Sequence, residues 1–162
     1  MKLYLAGPMF TAAEVAYNLA LARRLRDQGF TVYCPNESEP INEKTRHDVT
    51  ARLVYDVDLA ALESSNVLIC QVSEDSGTNW EAGYMDCLAK RVDPLRYYGV
   101  IGLATDIRLN TPPDPAKSGV DNMAGYLNPL VVGGLQQSLG VYLDEETMIA
   151  RLLDLRQERE GG

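Results

Sequence analysis

The sequence predicts an α/β protein: a parallel, doubly wound sheet of about five strands, flavodoxin- or Rossmann-like, with flanking helices. Two observations predict it. Short apolar runs of four to seven residues alternate with longer stretches of helical periodicity, which is the pattern of a parallel sheet covered on both faces. The most apolar run, Asn66 to Val72, lies between two such helices and should be central in the sheet.

Each element follows in order. Leu3-Tyr4-Leu5-Ala6 is an apolar run closed by Gly7-Pro8, a first buried strand. Residues 12–28 carry Ala13, Val15, Ala16, Leu19, Ala20, Ala22 and Leu25 as a helical stripe ending at Gly29. Thr31-Val32-Tyr33-Cys34, before Pro35-Asn36, is a second strand and turn. Residues 42–63 are helical in pattern, with Val49, Leu53, Val57, Ala60 and Ala61 on one face. After the central strand a helix is expected from about Asn79 to Lys90, then a fourth strand over Tyr98 to Ala104. Residues 105–128 hold Pro112, Pro113, Pro115, Gly119 and Gly125, and are too long for an ordinary connection. They suggest a functional or subunit-bridging loop. Asn128 to Leu139 follows as a helix, Val141-Tyr142-Leu143 as a short last strand, and Asp144 caps a helix over about Glu145 to Arg156. Gly161-Gly162 is expected to fray. There is no internal repeat and no linker, so residues 1–162 are read as one domain.

Composition narrows the function. The chain has 162 residues, 46% of them hydrophobic, enough for one core. A formal net charge of −8 argues against a nucleic-acid polymer or an anionic membrane as partner, since both need a basic face. It leaves room for a neutral nucleoside. Cys34, Cys70 and Cys87 show no CxxC spacing, and the reading is of small buried hydrophobes in a reducing compartment. A single histidine, His47, and the absence of ligand spacing argue against a metal site. The short N-terminal run stops at Gly7-Pro8, unlike a signal peptide, and no apolar run approaches the ~20 residues of a membrane span. The protein is therefore read as cytoplasmic.

Ligands of open parallel sheets bind beyond the carboxyl ends of the strands. The first strand ends at Gly7-Pro8 and the third just before Asp75. There the run Asp75-Ser76-Gly77-Thr78-Asn79-Trp80-Glu81-Ala82-Gly83 places two carboxylates around a Gly-Thr turn that opens a helix. Glu81 is expected in the first helical turn, beside free N–H groups and held ionised by the helix dipole, as a nucleophile must be. Two carboxyl groups ~5 Å apart across a glycosidic bond are the arrangement of retaining glycosyl transfer. Thr78-x-x-Glu81 equally fits a capping box, in which Glu81 reaches back to Thr78.

The chain resembles the nucleoside 2-deoxyribosyltransferases. The resemblance is carried by Leu3-Tyr4-Leu5-Ala6-Gly7-Pro8-Met9-Phe10, by Asp58 on the helix leading into Ser65-Asn66-Val67, and by Asp75 to Tyr84. Thr105-Asp106-Ile107-Arg108 and Leu127-Asn128-Pro129-Leu130 extend it, so that it spans about residues 3–135. It implies Glu81 as nucleophile, Tyr4 as the hydroxyl orienting it, and Asp75 as the better candidate for proton transfer. It implies base contacts from Asp58 and Asp75, packing of Phe10 on the base, and Gly7 in the substrate loop. Asn128 would reach the sugar 5′-hydroxyl of a neighbouring subunit, in a homodimer or higher homo-oligomer with shared sites. The substrates would be a deoxynucleoside and a free nucleobase, with no cofactor or metal. Ala82 and the longer link Asp93-Pro94-Leu95-Arg96-Tyr97 depart from the family pattern and leave purine or pyrimidine preference open.

Plainer roles stand beside these. Tyr4 also fits a core aromatic, Asp58 a solvated helix face, Asn128 a helix cap before Pro129, and Phe10 plain packing. Met123 and Tyr126 fit pocket lining or interface packing, and Arg23, Arg24 and Arg26 a solvated helix face. Hydrolysis of the same covalent intermediate by water is the first rival activity. The first loop offers a phosphate only Thr11, which favours a free nucleoside. A nucleotide-binding module without turnover is the second rival.

Overall fold

The computed structural model describes residues 1–38, 42, 46–107 and 127–161. Five strands form one all-parallel sheet in the order β2-β1-β3-β4-β5. They are β1 (Lys2–Ala6), β2 (Thr31–Tyr33), β3 (Val67–Gln71), β4 (Gly99–Leu103) and β5 (Val141–Tyr142). The helices are α1 (Ala12–Asp27), α2 (Ala51–Glu63), α3 (Ser76–Cys87), α4 (Pro129–Gln136) and α5 (Glu145–Glu160). This is the expected α/β doubly wound fold.

Alternation along the strands builds two cores. Leu3, Leu5, Val67, Ile69, Ile101 and Leu103 project to one face and bury Leu21 and Leu25 of α1 with Met148 and Leu152 of α5. Tyr4, Ala6, Leu68, Cys70 and Val100 project to the other, against Leu62 of α2, Ala82 and Met85 of α3, and Leu135 of α4. Each fully buried large apolar side chain contributes roughly 1.5–3 kcal/mol of transfer free energy. The fold therefore delivers alternate residues of β1 to opposite helical layers, and Tyr4 goes to the layer that carries α2 and α3.

Several boundaries differ from expectation for identifiable reasons. α1 ends where Gly29 takes φ +81°, as anticipated. Of the helix expected over 42–63, Asn42 is helical, residues 43–45 lie outside the described residues, and the helix that leads into β3 starts at Ala51, where Thr50 caps it by accepting the Leu53 N–H. Residues 46–50 ahead of it form a turn, with the Val49 N–H on the Arg46 carbonyl. The helix expected from Asn79 starts at Ser76, because Asp75 caps it. Beyond Cys87 that helix widens into a π-turn over Leu88–Val92. α4 stops at Gln136, and α5 runs to Glu160 rather than Arg156. Of the loop expected over 105–128, residues 108–126 lie outside the described residues, and with them Arg108, Met123 and Tyr126. No helix among the described residues is long and apolar enough to cross a membrane.

The order of connection reverses between β1 and β3. α1 carries the chain outward to β2, whereas the connections after β3 proceed through β4 to β5. Such a switch point opens a crevice beyond the strand ends. Its walls are the β1–α1 loop, residues 7–11, and the β3–α3 loop, residues 72–75.

Candidate active site

Tyr4 and Glu81 meet on the face of the sheet that carries α2 and α3. The Tyr4 hydroxyl donates to Glu81 Oε1 at 2.6 Å. Tyr4 is 0% exposed and Glu81 is half-buried. The contact joins the middle of β1 to the second turn of α3, across 77 residues of sequence. Because the helix starts at Ser76 with Asp75 as its cap, Thr78 is not the cap, and Glu81 bonds Tyr4 rather than folding back on Thr78. The capping-box reading of Thr78-x-x-Glu81 therefore falls.

The same early start corrects the electrostatic expectation. Glu81 lies in the second turn, past the free N–H groups at the helix start. Burial instead pushes its carboxyl up to about 7; the Tyr4 hydrogen bond opposes that rise, and the charges of Asp58 and Asp75 add to it. Glu81 thus titrates near neutrality.

Asp75 is the N-cap of α3. Its carboxylate accepts the Gly77 N–H at 3.2 Å, the Thr78 N–H at 3.0 Å and the Thr78 hydroxyl at 2.6 Å. Both oxygens are engaged with the first turn of α3, and Thr78 is 1% exposed. Asp75 is near enough for its charge to act on Glu81, and it holds the start of the helix that presents Glu81.

Asp58, on α2, accepts the Tyr33 hydroxyl at 3.0 Å. Burial raises its pKa, and the Tyr33 and Tyr4 hydroxyls pull it back down. Tyr33 is the residue that sequence reading missed. It pairs in register with Tyr4, so both rings leave the sheet on one face, with centroids 5.1 Å apart. The available signal was the hydroxyl-bearing aromatic that ends the β2 run beside β1.

A second missed group fixes the first loop. Asn18 of α1, 2% exposed, donates from Nδ2 to the Pro8 carbonyl and to Asn36 Oδ1, each at 3.0 Å. Its Oδ1 accepts Gln71 Nε2 at 2.5 Å. Gly7 makes this possible: a Cβ there would stand 2.6 Å from Gln71 Cδ and Nε2. At the loop's far end Glu14 Oε2 accepts the Phe10 and Thr11 N–H groups.

Phe10 is 71% exposed, on the loop that rims the crevice. The Asn128 side chain caps α4, accepting the Leu130 and Val131 N–H groups at 3.0 and 3.4 Å, and it is exposed. The structure thus brings together Tyr4, Glu81, Asp58 and Tyr33, with Asp75 and Gly7 at the adjoining loops. It does not bring Phe10 or Asn128 into contact with Glu81. Among the described residues no cluster of His, Cys, Asp or Glu could hold a metal ion.

A family model described as nucleoside 2-deoxyribosyltransferase matches residues 3–123. No curated protein sequence matches the chain. Among solved structures, a conserved protein from Enterococcus faecalis V583 superposes with a TM-score of 0.71 at 24% identity, covering 96% of this chain and 98% of that one. A 2-deoxyribosyltransferase from Bacillus psychrosaccharolyticus superposes with a TM-score of 0.62 at 21% identity, covering 92% and 90%. A CMP N-glycosidase from Clostridium botulinum gives 0.52 at 16% identity, covering 96% and 99%. The likeness to these three is one of fold.

Proposed function

The chain belongs to the nucleoside 2-deoxyribosyltransferase family, and from that premise we propose that it moves a 2-deoxyribosyl group from one nucleobase to another by retaining double displacement on Glu81. The observation that carries the proposal is the 2.6 Å bond from Tyr4 to Glu81 at the switch point of the sheet. A buried hydroxyl that holds one carboxylate oxygen fixes the orientation of the group, which attack at C1′ requires.

In the first step Glu81 bonds to C1′ as the bond from C1′ to the base nitrogen breaks. The leaving base takes a proton through Asp75. In the second step an incoming base bonds to C1′, the Glu81–C1′ ester bond breaks, and the proton of the incoming base returns through Asp75. Two inversions give net retention. Asp58 contacts the base. The absent 2′-hydroxyl eases the oxocarbenium-like transition state. Phe10, at the exposed rim, packs on the base, and Asn128 closes the site of a neighbouring copy.

Incubating the protein with deoxyinosine or thymidine, with and without a second free base, tests this by chromatography. A new deoxynucleoside in the presence of the second base is expected. Free base and deoxyribose alone, whatever bases are supplied, would replace transfer by hydrolysis. Full activity in Glu81→Ala would overturn the assignment.

A further inference from the structure

We propose that Tyr33 is a positioning residue for Glu81: by giving its own proton to Asp58, it leaves the Tyr4 proton to Glu81. The inference deepens the function proposed above and rests on it for its kinetic readout only.

Asp58 and Glu81 both act on the Tyr4 hydroxyl, which carries a single proton. Tyr4 donates that proton to Glu81 at 2.6 Å. Asp58 is supplied separately, by the Tyr33 hydroxyl at 3.0 Å. The parallel register places Tyr33 beside Tyr4, and the two rings, tilted by 32° with centroids 5.1 Å apart, leave the same face of the sheet. Two tyrosine protons thus serve two half-buried carboxylates.

Among the described residues, the groups that act on the Asp58–Glu81 pair are Tyr4 on β1, Tyr33 on β2 with Ser38 beside its hydroxyl, Cys70 on β3, and Asp75 at the start of α3. None of these is a cation. Burial pushes the Tyr33 hydroxyl and the Cys70 thiol each up to about 12, so at working pH both are neutral and Tyr33 is a donor. Without the Tyr33 hydroxyl, one proton is shared between two carboxylates of like charge. The pair then takes up its first proton at higher pH, and Glu81 loses its fixed donor for part of the time.

Tyr33→Phe keeps the ring on Tyr4 and removes only the hydroxyl. Carboxyl-labelled glutamate and aspartate, followed by NMR through a pH titration, read the Asp58–Glu81 pair directly. The upper titration of the pair should rise by about one pH unit, the size of a single hydrogen bond to a carboxylate. The acid limb of kcat/KM for deoxyribosyl transfer should rise with it, lowering kcat/KM at pH 7 about fivefold and recovering at higher pH. In an Asp58→Asn background, Tyr33→Phe should leave the Glu81 titration in place. Tyr33→3-fluorotyrosine, a stronger donor, should move the limb the other way, and it serves if Tyr33→Phe does not fold. An unmoved Glu81 titration in Tyr33→Phe would overturn the proposal, and so would a shift that persists undiminished beside Asp58→Asn. A titration shift in a protein without transferase activity would uphold the positioning role and overturn the proposed function instead.

Discussion

Replacing Glu81 by glutamine should stabilise the fold, and by an amount that depends on pH. Burial raises the Glu81 carboxyl from its ordinary range to about 7 in the folded protein. Between those values the folded chain holds a proton that the unfolded chain has released. Stability therefore falls as pH rises through this window, and the loss is complete above about 7. Each tenfold difference in proton affinity is worth about 1.4 kcal/mol, so the full cost of ionising Glu81 has a ceiling of roughly 3 kcal/mol. Solvent reaching this half-buried group brings the real figure below the ceiling. Glutamine carries no charge and can still accept the Tyr4 hydroxyl. Chemical denaturation of wild type and Glu81→Gln should show the variant ahead by about 1 kcal/mol at pH 5.5 and by up to about 3 kcal/mol at pH 8, with unchanged m-values. For a chain of this length the larger figure corresponds to a melting temperature higher by roughly 6–12 °C. Transfer activity should vanish in the same protein. A gain that does not change with pH, or a variant less stable than wild type at pH 8, would refute the reasoning.

Tyr4→Phe should fold, since the buried ring remains, while kcat/KM falls about 10–100-fold and its acid limb moves upward as Glu81 loses its donor; a pH–rate profile measures both. Asp75→Ala should cost about 1–2 kcal/mol by uncapping α3, read by denaturation. Asp75→Asn should keep the cap yet lose ~10²–10⁴ in kcat because proton exchange is gone. Gly7→Ala should drive Gln71 off Asn18 and destabilise by about 1–3 kcal/mol, with a loss of activity that Gln71→Ala in the same chain partly restores.

The sheet was legible because its strands are short apolar runs bounded by Gly, Pro and Asn, and the alternation that sends Tyr4 and Leu3 to opposite faces is local. The start of α3 was not. Ser76-Gly77 looks like a turn, and only the placement of the Asp75 carboxylate on the Gly77 and Thr78 N–H groups reveals the helix beginning there. That shift of three residues carried the electrostatic error with it, since it moves Glu81 from the first turn to the second and leaves burial to govern its proton. Tyr33 and Asn18 were illegible for a different reason. Their partners lie 10 to 53 residues away on other elements and loops, and the contacts arise from the β1–β2 register and the packing of α1. The Tyr4–Glu81 contact spans 77 residues, and no spacing rule within the sequence marks it.

The proposed mechanism turns on a covalent intermediate at Glu81. Mixing the protein with a deoxynucleoside in the absence of acceptor, quenching in acid and mapping peptides by mass spectrometry would detect it. A deoxyribosyl adduct on the peptide that contains Glu81, discharged when a second base is added before the quench, is the predicted result. An adduct on another residue, or an active Glu81→Gln protein, would contradict it.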